Sequence, residues 1–360
     1  MPTERPEAVK RLSDLREFRL LREVVLPHLG SGSLTAPLGD DCAYLPAPKD
    51  AALLVVTSDA APRPLVWSLG CESYWSWGWY AVAINASDLA AAGAKPLFFT
   101  SSVEAPDDMA VDAFEQFFKG MAAACAHFSL TNAGGNIRAA PRFACHAMAV
   151  GTESRAVPLT RSNCQPGDVI VAVGECGRFI SAFLKAKRNS PGSLSKDEWR
   201  RLIKPEPRLR DMALLHQAGL VRAASDNSDG LLGALWNIAE RSECGIELCL
   251  DGIDLGDEVR EAAREAELDP WNLFFFWGDW QVVSAVPRGK LRTFRELANA
   301  EGVEYTVLGR AVDGTAALYG AQGGERRSMR VLRSENFGRD SFAGDLASHF
   351  DFMLRSSIFI

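Results

Sequence analysis

The sequence lacks the features that would place the chain in a membrane or on a nucleic acid. Its most apolar stretch, residues 80–100, is interrupted by an amide, two charged side chains and a proline, so it is unsuited to cross a bilayer. No apolar segment follows the charged N-terminus, and we expect no signal peptide. The net charge is −7 and there is no long run of Lys or Arg, which argues against binding to nucleic acid or to an anionic membrane surface.

Motifs that depend on local spacing are also missing. The eight cysteines form no C-x-x-C pair and have no histidine at zinc-site spacing, so we expect small buried thiols in a reducing compartment, the cytoplasm. There is no Walker P-loop and no Gly-x-Ser-x-Gly elbow. Any nucleotide site must therefore be assembled from residues that are far apart in the sequence.

What the sequence contains is the composition of a globular protein of about two domains. Hydrophobic residues make up 47% and charged residues 24% of the 360 residues. Apolar runs typical of buried strands, such as 169–173, alternate with helical patterns, such as 72–93, which predicts an α/β architecture with α+β layers. A loop rich in Pro, Thr, Ser and Asn, residues 157–167, separates the halves. We therefore predict an N-terminal domain of residues 1–157 and a C-terminal domain of residues 158–360.

Five short elements rich in Asp, Asn and Ser lie at predicted strand ends or in turns. They are Gly39-Asp40-Asp41, Thr57-Ser58-Asp59, Asn85-Ala86-Ser87-Asp88, Gly134-Gly135-Asn136 and Asp226-Asn227-Ser228-Asp229-Gly230. Any one of them could be a turn or a helix cap, since these residue types commonly fill such positions. Mg²⁺ prefers oxygen ligands, and clustered carboxylates repel one another unless cations lie between them. The five together therefore indicate a magnesium-dependent nucleotide site.

The order and spacing of these elements resemble the thiamine-monophosphate kinase family, from about residue 15 to about residue 312. The most specific part is the string NASDLAAAGAKP at 85–96, whereas a lone Gly-Asp-Asp would not be specific. The elements that agree with it are GDDCA at 39–43, TSD at 57–59, Arg161-Ser162 followed by PGD at 166–168, and SDGL at 228–231. The broader superfamily includes aminoimidazole ribonucleotide synthetase, selenophosphate synthetase and a hydrogenase-maturation protein.

The resemblance implies a two-domain aminoimidazole ribonucleotide synthetase-like fold and a homodimer in which the N-terminal sheets pair. It also implies a kinase that uses ATP and several Mg²⁺ ions to make thiamine diphosphate and ADP from thiamine phosphate. Phosphoryl transfer needs positioning and charge neutralisation more than a covalent group on the protein, which agrees with a site of scattered aspartates. The implied partners are ATP and a small-molecule phosphate acceptor, with no nucleic acid and no membrane.

Carried over position by position, the resemblance gives individual residues a role. The aspartates that would be catalytic are Asp41, Asp59, Asp88 and Asp229. The metal ligands would be Asp41, Thr57, Ser58, Asp59, Asp88, Asp226 and Asp229. The residues facing ATP would be Gly135, Asn136, Arg161 and Ser228. An arginine fork suits phosphate oxygens, and a Gly-Gly turn lets the backbone approach a nucleotide.

Three departures from the family pattern matter. The family's GGDT turn reads Gly134-Gly135-Asn136-Ile137, so a metal-binding Asp is replaced by an Asn that keeps an oxygen but no charge. A histidine that the family has a few residues after the TSD element is absent. The family's Gly-Gly-Glu-Asp-Tyr-Glu segment reads Phe276-Trp277-Gly278-Asp279-Trp280-Gln281, so its substrate-facing Glu is missing. The motifs that would bind the nucleotide are thus largely retained. The motifs that would bind the phosphate acceptor differ from the family's pattern, which predicts a changed acceptor.

Tryptophan is unusually concentrated near these departures. Packing in the core or at an interface explains most tryptophans, because aromatic side chains bury large areas. An alternative is that Trp67, Trp277 and Trp280, with Asp279, line a pocket for a flat or cationic acceptor. Both interpretations remain open at the level of sequence.

Two other functions also remain open. One is a synthetase-like enzyme that uses ATP to activate an amide or carboxylate oxygen. The other is a nucleotide-binding regulatory or scaffold protein that has lost turnover through Asn136. The remaining acidic residues argue against the scaffold, since clustered charge is costly to retain without a ligand.

Overall fold

The computed structural model describes residues 11–12, 21–28, 49–155, 157–334 and 346–360. Contacts divide the chain into two compact units. The first contains the described residues among 1–50, with 56–85 and 96–151, and the second contains 51–55, 86–95 and 152–360. Helices and strands alternate in both units, which confirms the predicted α/β class.

Most of the first unit consists of a four-stranded sheet and two long helices. Its elements are β1 (Leu53–Ala60), α1 (Tyr74–Ala91), β2 (Lys95–Ala105), α2 (Val111–His127), β3 (Thr131–Ala139) and β4 (Ala144–Glu153). Short helical turns cover Leu21–Val25, Leu26–His28 and Leu65–Leu69. The strand order is β1-β4-β2-β3, with β2 and β3 parallel. Side chains of β1 alternate between half-buried and exposed, as expected for an edge strand with one covered face.

Aromatic side chains of α1 pack within the first unit. Trp75 and Trp79 are four residues apart, so they share one face of the helix, and their rings stack with centroids 5.4 Å apart. The indole nitrogen of Trp77 donates a hydrogen bond to the carbonyl oxygen of Ala61 at 3.0 Å. The packing interpretation therefore accounts for the three tryptophans of this helix.

The second unit is built on a seven-stranded sheet. Its strands are β5 (Val169–Val173), β6 (Ala223–Asp226), β7 (Gly245–Cys249), β8 (Val282–Val286), β9 (Tyr305–Val312), β10 (Ala317–Gln322) and β11 (Glu325–Ser328). The order across the sheet is β11-β10-β7-β9-β5-β8-β6, and all neighbours are antiparallel except β7 and β10. Strands β5 and β8 are apolar and almost fully buried, as expected for strands covered on both faces.

The helices of the second unit cover this sheet and support its loops. They are α3 (Arg178–Asn189), α4 (Lys196–Ile203), α5 (Leu209–Gln217), α6 (Leu231–Ser242), α7 (Asp257–Ala266), α8 (Pro270–Phe274), α9 (Leu291–Glu301) and α10 (Leu346–Arg355). Helix α6 contacts β6, β7, β8 and β10, whereas α3 packs on α4, α7 and α8. Among the helices that the structure describes, none has the length and apolar character needed to span a bilayer.

Candidate active site

The end of β6 and the loop that leads to α6 carry three of the predicted site residues. Strand β6 is buried along its length and ends at Asp226. The loop is held by Asn227, whose side-chain amide donates a hydrogen bond to the carbonyl oxygen of Phe276 at 3.1 Å. Ser228 and Asp229 follow, just before the N-terminus of α6. This is a favourable place for an anion, because the first N–H groups of a helix have no partner within it and the helix dipole is positive there.

Asp226 is a buried predicted metal ligand with a raised pKa. It is 5% exposed. Burial and, after it, the like charge of Asp88 raise the pKa of Asp226 from 3.8 to about 6. The guanidinium of Arg161, with Nη2 at 3.7 Å from Oδ1, and a hydrogen bond from Ser228 oppose this rise. A buried carboxylate close to a second one is costly, and a bound cation would relieve that cost.

Arg161 stands beside an open cleft of about 460 Å³ in the second unit. Its backbone carbonyl accepts a hydrogen bond from the hydroxyl of Ser242, the last residue of α6, at 3.1 Å. Thr160, Ser162 and Arg241 line the rest of the cleft. Arg241 could not be predicted from the sequence. It lies on the last turn of α6, and no local motif shows that it comes close to Arg161. Two guanidinium groups beside one cleft suit an anionic ligand.

In the first unit, Thr57, Ser58 and Asp59 lie within β1, which continues past them. The hydroxyl of Ser58 donates a hydrogen bond to the carbonyl oxygen of Ala147 on β4 at 3.1 Å. Burial and then the charge of Asp59 raise the pKa of Tyr80. The carboxylate of Asp59 is therefore close enough to influence a buried phenol.

Gly134, Gly135 and Asn136 lie within β3, so the turn expected from the sequence was wrong. Strands β2 and β3 run side by side, and their register shifts between Phe99 and Ser101. A Cβ on residue 135 would lie 1.9 Å from the carbonyl oxygen of Ser101. In a sequence, two adjacent glycines suggest a turn. Glycine is also needed, however, where the backbones of two neighbouring strands approach closely, as they do here. Gly135 and Asn136 are both exposed on this strand.

The oxygen-rich donor set fits Mg²⁺ better than a transition metal. Asp88 and Asp226 lie close together in the second unit, and their mutual repulsion is the observation that makes a cation fit there. Within the described part of either unit, no three Asp, Glu, His or Cys side chains gather as a complete metal site. Asp41, with the whole Gly39-Asp40-Asp41 element, lies outside the described residues.

On the predicted acceptor side, Asp279 holds the N-terminus of α3. It is 8% exposed, and its Oδ1 accepts a hydrogen bond from the backbone N–H of Phe179 at 2.7 Å. Burial raises the pKa of Asp279 from 3.8 to about 7, although this hydrogen bond opposes the rise. Within the described residues, its second oxygen, Oδ2, is buried without a hydrogen-bond partner.

A second cleft, of about 170 Å³, lies beside Asp279. Its charged lining residues are four cations, Arg200, Arg201, Lys204 and Arg208, and four carboxylates, Glu175, Glu206, Asp279 and Glu304. Trp280 also lines it, is 8% exposed and has a φ of +57°. A left-handed backbone is unusual for a bulky residue and persists only where the surroundings enforce it. The strained Trp280 thus marks this cleft as a candidate for function.

Trp277 and Gly278 are held by packing in the same region. The indole nitrogen of Trp277 donates a hydrogen bond to Nε2 of His349 on α10 at 3.0 Å, and its ring lies 5.9 Å from that of Phe179. Gly278 has a φ of +110°, and a Cβ there would lie 2.2 Å from the Phe179 ring. Phe179 therefore fills the volume that a side chain at residue 278, such as the family's Glu, would need.

Trp67 belongs to an aromatic cluster of the first unit. Its ring meets those of Tyr74 and Trp77 edge-on, at 5.1 and 5.3 Å. The guanidinium of Arg63 lies 5.8 Å above it. These contacts are those of a packed aromatic side chain, and the acceptor contact of Trp67 stays a prediction.

Comparison with known proteins matches both halves of the chain. The family model "AIR synthase related protein, N-terminal domain" matches residues 39–152, and "AIR synthase related protein, C-terminal domain" matches residues 165–319. The thiamine-monophosphate kinase of Methanospirillum hungatei is 28% identical over 297 residues, which cover 82% of this chain and 92% of that protein. The enzyme of the same name from Synechococcus elongatus is 30% identical over 241 residues, which cover 65% of this chain and 73% of that protein.

Solved structures agree with these matches. The crystal structure of thiamine-monophosphate kinase from Stenotrophomonas maltophilia is 25% identical, with a TM-score of 0.73 over 86% of this chain and 98% of that one. A hydrogenase maturation protein, HypE, in complex with ATP shares the fold at 17% identity, with a TM-score of 0.72 over 88% of this chain and 94% of that one. The predicted two-domain fold is confirmed, and the chain belongs to the thiamine-monophosphate kinase family, whose domains are those of AIR synthase related proteins.

Proposed function

We propose that this member of a family of ATP-dependent kinases uses Mg²⁺ and transfers the terminal phosphoryl group of ATP to a small phosphorylated acceptor. The observation that carries the proposal is the cluster in the second unit, where Asp226 is buried beside Asp88 and faces Arg161 and Ser228. Acidic ligands for a cation and a guanidinium for phosphate oxygens are the two requirements of a metal–nucleotide site. The relatives are named thiamine-monophosphate kinases, and a structure of similar fold at 22% identity is described as complexed with AMPPCP and TMP.

Different residues of the chain have different roles in this proposal. Those that would hold Mg²⁺ are Asp41, Thr57, Ser58, Asp59, Asp88, Asp226 and Asp229, of which Asp41, Asp59, Asp88 and Asp229 are the proposed catalytic aspartates. Bound Mg²⁺ neutralises the charge of the phosphates during transfer. Arg161 binds phosphate oxygens, and Ser228 orients them at the N-terminus of α6. Gly135 and Asn136, exposed on β3, contact the nucleotide.

The acceptor side favours a second candidate, a kinase whose acceptor differs from thiamine monophosphate. The cleft beside Trp280 combines an aromatic wall with cationic residues, which suits a planar ring that carries a phosphate. These cations also have partners within the protein. Glu175 accepts hydrogen bonds from Nε and Nη2 of Arg201 at 3.0 and 3.1 Å, and Arg208 lies 4.0 Å from Glu304. Phe179 beside Gly278 further changes the shape of this side relative to the family's pattern. In this proposal Trp67, Trp277, Asp279 and Trp280 are the acceptor-side residues.

Assays of ADP release separate these candidates. The purified protein would be given Mg-ATP with thiamine monophosphate, and then with a panel of phosphorylated heterocycles, nucleosides and amino-acid amides. Robust formation of thiamine diphosphate would establish the family's acceptor and remove the changed one. ADP release only with another phosphorylated compound would establish the changed acceptor, and release with an amide would favour the synthetase-like reaction. A rise in melting temperature with Mg-ATP and no turnover with any acceptor would contradict the kinase and favour the scaffold.

The proposal includes a homodimer in the cytoplasm, with residues 1–157 and 158–360 as its domains. On β1, Leu54 is 62% and Val56 is 60% exposed, so the outer face of an edge strand is apolar. Such an edge invites association, and a second copy of the chain would cover it. Light scattering should report a dimer for the natural chain and a larger monomer fraction for Val56→Lys. A monomer at all concentrations of the natural chain would contradict this part of the proposal.

A further inference from the structure

Helix α10 packs against α8 and the segment after it, which carries the proposed acceptor-side residues. The side-chain amide of Asn272 on α8 is buried and donates hydrogen bonds to the carbonyl oxygens of Met353 and Ser356, each at 2.9 Å. Beyond the helix, the backbone N–H of Arg330 donates to the carbonyl oxygen of Ile358 at 2.8 Å. Hydrogen bonds therefore fix the place of α10 within the second unit.

Aromatic stacking joins α10 to the same segment. The ring of Phe350 stacks on those of Phe183 and Phe276, with centroids 5.4 and 5.7 Å apart and interplanar angles of 5° and 7°. Phe276 also stacks on Trp277, with centroids 5.0 Å apart. His349, the neighbour of Phe350 on α10, is fully buried. Close packing leaves its imidazole little freedom to move.

The hydrogen bond between His349 and Trp277 fixes the orientation of the indole. An indole N–H can only donate, so Nε2 of His349, which accepts it at 3.0 Å, carries a lone pair and the imidazole is neutral. Rotation about χ2 of a tryptophan has two broad minima, and one of them directs the indole nitrogen to the imidazole. His349 thus selects one orientation of the Trp277 ring.

Trp277 lies at the border between the core of the second unit and the cleft beside Asp279. Its side chain is half-buried, and its ring lies 5.9 Å from that of Phe179. Phe179 and Gly278, the residue after Trp277, both line the cleft. A half-buried aromatic ring can be held at its polar atom and still offer apolar area to a ligand. The orientation of the indole therefore shapes this border of the cleft.

We propose that His349 is a positioning residue for the phosphate acceptor, because it holds the indole of Trp277 in the orientation that contacts the acceptor. This role rests on the proposed function, in which Trp277 is an acceptor-side residue. Without the hydrogen bond the ring can rotate, and the acceptor must then order it on binding, which costs affinity. A contact that is equally strong in the ground state and the transition state changes KM and leaves kcat unchanged.

Three substitutions of His349 separate the hydrogen bond from the volume of the imidazole. In His349→Gln the side-chain carbonyl oxygen reaches about as far as Nε2, so the hydrogen bond should remain. His349→Asn is equally polar but one methylene shorter, and His349→Leu fills the space without an acceptor atom. His127→Leu, at an exposed histidine whose ring lies 5.3 Å from that of Trp79, is the matched control.

Nuclear magnetic resonance of the full-length protein with isotope-labelled tryptophan tests the orientation without turnover. The chain has nine tryptophans, and the indole signal that is lost in Trp277→Phe identifies the relevant one. In His349→Leu and His349→Asn we expect this signal to shift and its N–H to exchange at least about tenfold faster, because the hydrogen bond that protects it is gone. His349→Gln should keep the natural position. An unchanged signal in His349→Asn would overturn the proposal.

Steady-state kinetics with Mg-ATP test the role in acceptor binding. The acceptor is thiamine monophosphate or, where that compound is inactive, the compound that the acceptor panel identifies. We expect the KM for the acceptor to rise about three- to tenfold in His349→Leu and His349→Asn, the range for one hydrogen bond, and to stay within about twofold in His349→Gln and His127→Leu. The kcat and the KM for ATP should not change. Equal losses in His349→Gln and His349→Asn, or a fall in kcat with an unchanged KM, would overturn the proposal.

The two measurements separate this inference from the proposed function. If the natural chain is active and His349→Asn keeps the natural KM for the acceptor, the positioning role fails and the proposed function stands. If the natural chain turns over no acceptor, the proposed function fails and the acceptor role of His349 fails with it. Magnetic resonance would then still decide whether His349 orients the Trp277 ring.

Discussion

Asp226 is the last residue of β6 and Asp279 lies in the loop before β8, and the sequence places both aspartates in the candidate site. Both are buried, and burial is the main cause that raises the pKa of each, to about 6 and about 7. Their partners differ in part. A second carboxylate and a guanidinium act on the pKa of both aspartates, Asp88 and Arg161 for Asp226 and Glu175 and Arg208 for Asp279. Asp226 has in addition a hydrogen bond from Ser228, whereas Oδ1 of Asp279 accepts a backbone N–H at the start of α3.

In both aspartates the raised pKa results first from burial, so a raised pKa does not by itself identify a functional residue. Asp88 raises the pKa of Asp226, and a cation bound between the two carboxylates would relieve their repulsion. An aspartate that accepts a backbone N–H at a helix start has a structural role that needs no ligand. The nucleotide side and the acceptor side should therefore respond differently to the same change from aspartate to asparagine.

The largest expected effect is on turnover, at Asp226. Asp226→Asn removes a proposed Mg²⁺ ligand, so we expect ATP turnover to fall by at least about 100-fold, as for other loss of transition-state charge stabilisation. The melting temperature without Mg²⁺ should not fall, because the repulsion from Asp88 is removed. Asp257→Asn, at an exposed first turn of α7, is the matched control and should leave turnover unchanged. Full activity of Asp226→Asn would contradict its role as an Mg²⁺ ligand, and the expected difference between the nucleotide side and the acceptor side would then be lost.

At Asp279 the expected effect is on stability and depends on pH. The folded pKa of about 7 lies above the unfolded value of 3.8, so the stabilising contribution of protonation is complete below about pH 4 and is lost as pH rises through 7. Asp279→Asn keeps an oxygen for the Phe179 N–H but has no charge to bury. Relative to the natural chain, its free energy of unfolding should rise by about 2–4 kcal/mol between pH 4 and pH 8.

Denaturant unfolding at several pH values measures this difference. Asp257→Asn, at the exposed first residue of α7, is the control for a general effect of charge. A difference between Asp279→Asn and the natural chain that does not change with pH would show that Asp279 does not titrate in this range.

Gly278→Ala tests how closely Phe179 packs on the acceptor side. A Cβ with a positive φ, 2.2 Å from a ring carbon, should lower the free energy of unfolding by about 1–3 kcal/mol. The combination with Phe179→Ala should cost less than the sum of the two single changes, because the smaller side chain makes room. Strict additivity in urea unfolding would mean that the two residues do not compete for this volume.

The smallest expected effect is at Asn136. Asn136→Asp restores the carboxylate of the family's motif on an exposed strand position, where added charge is worth little in water. We expect the half-saturating Mg²⁺ concentration to fall by about threefold, equivalent to less than 1 kcal/mol. An unchanged Mg²⁺ dependence would place residue 136 away from the metal, and the nucleotide side would then be smaller than proposed.

Strong periodicity in the sequence predicted the elements that carry the fold. The helix expected over 72–93 is α1, Tyr74–Ala91, and the apolar run at 169–173 is β5. Elements without an apolar pattern escaped prediction. Strand β11 is exposed at every residue, so it has no apolar side chains that alternate with polar ones. Helix α4 follows a polar segment, and its local signal is the capping box that Ser195 and Glu198 form at its start.

For the candidate site, the sequence predicted which residues take part, and the structure showed which of them lie next to one another. Asp88, Asp226, Arg161 and Ser228 were each suggested by a short motif, but only the fold shows that the last two face the carboxylate of Asp226. Arg241 and Phe179 carry no local signal and were found only through the space they occupy. The strain at Trp280 was equally invisible, since backbone conformation there depends on the packing around it.

The sequence by itself determined the α/β class and the family, and it predicted an aspartate-based chemistry, because periodicity and short motifs act over a few residues. The tertiary structure decided which aspartate lies beside Arg161 and Ser228 and which holds the start of a helix. It also turned an expected Gly-Gly turn into strand β3. Those outcomes depend on contacts between segments far apart in the chain, and burial, repulsion and close backbone approach exist only once those segments have packed together.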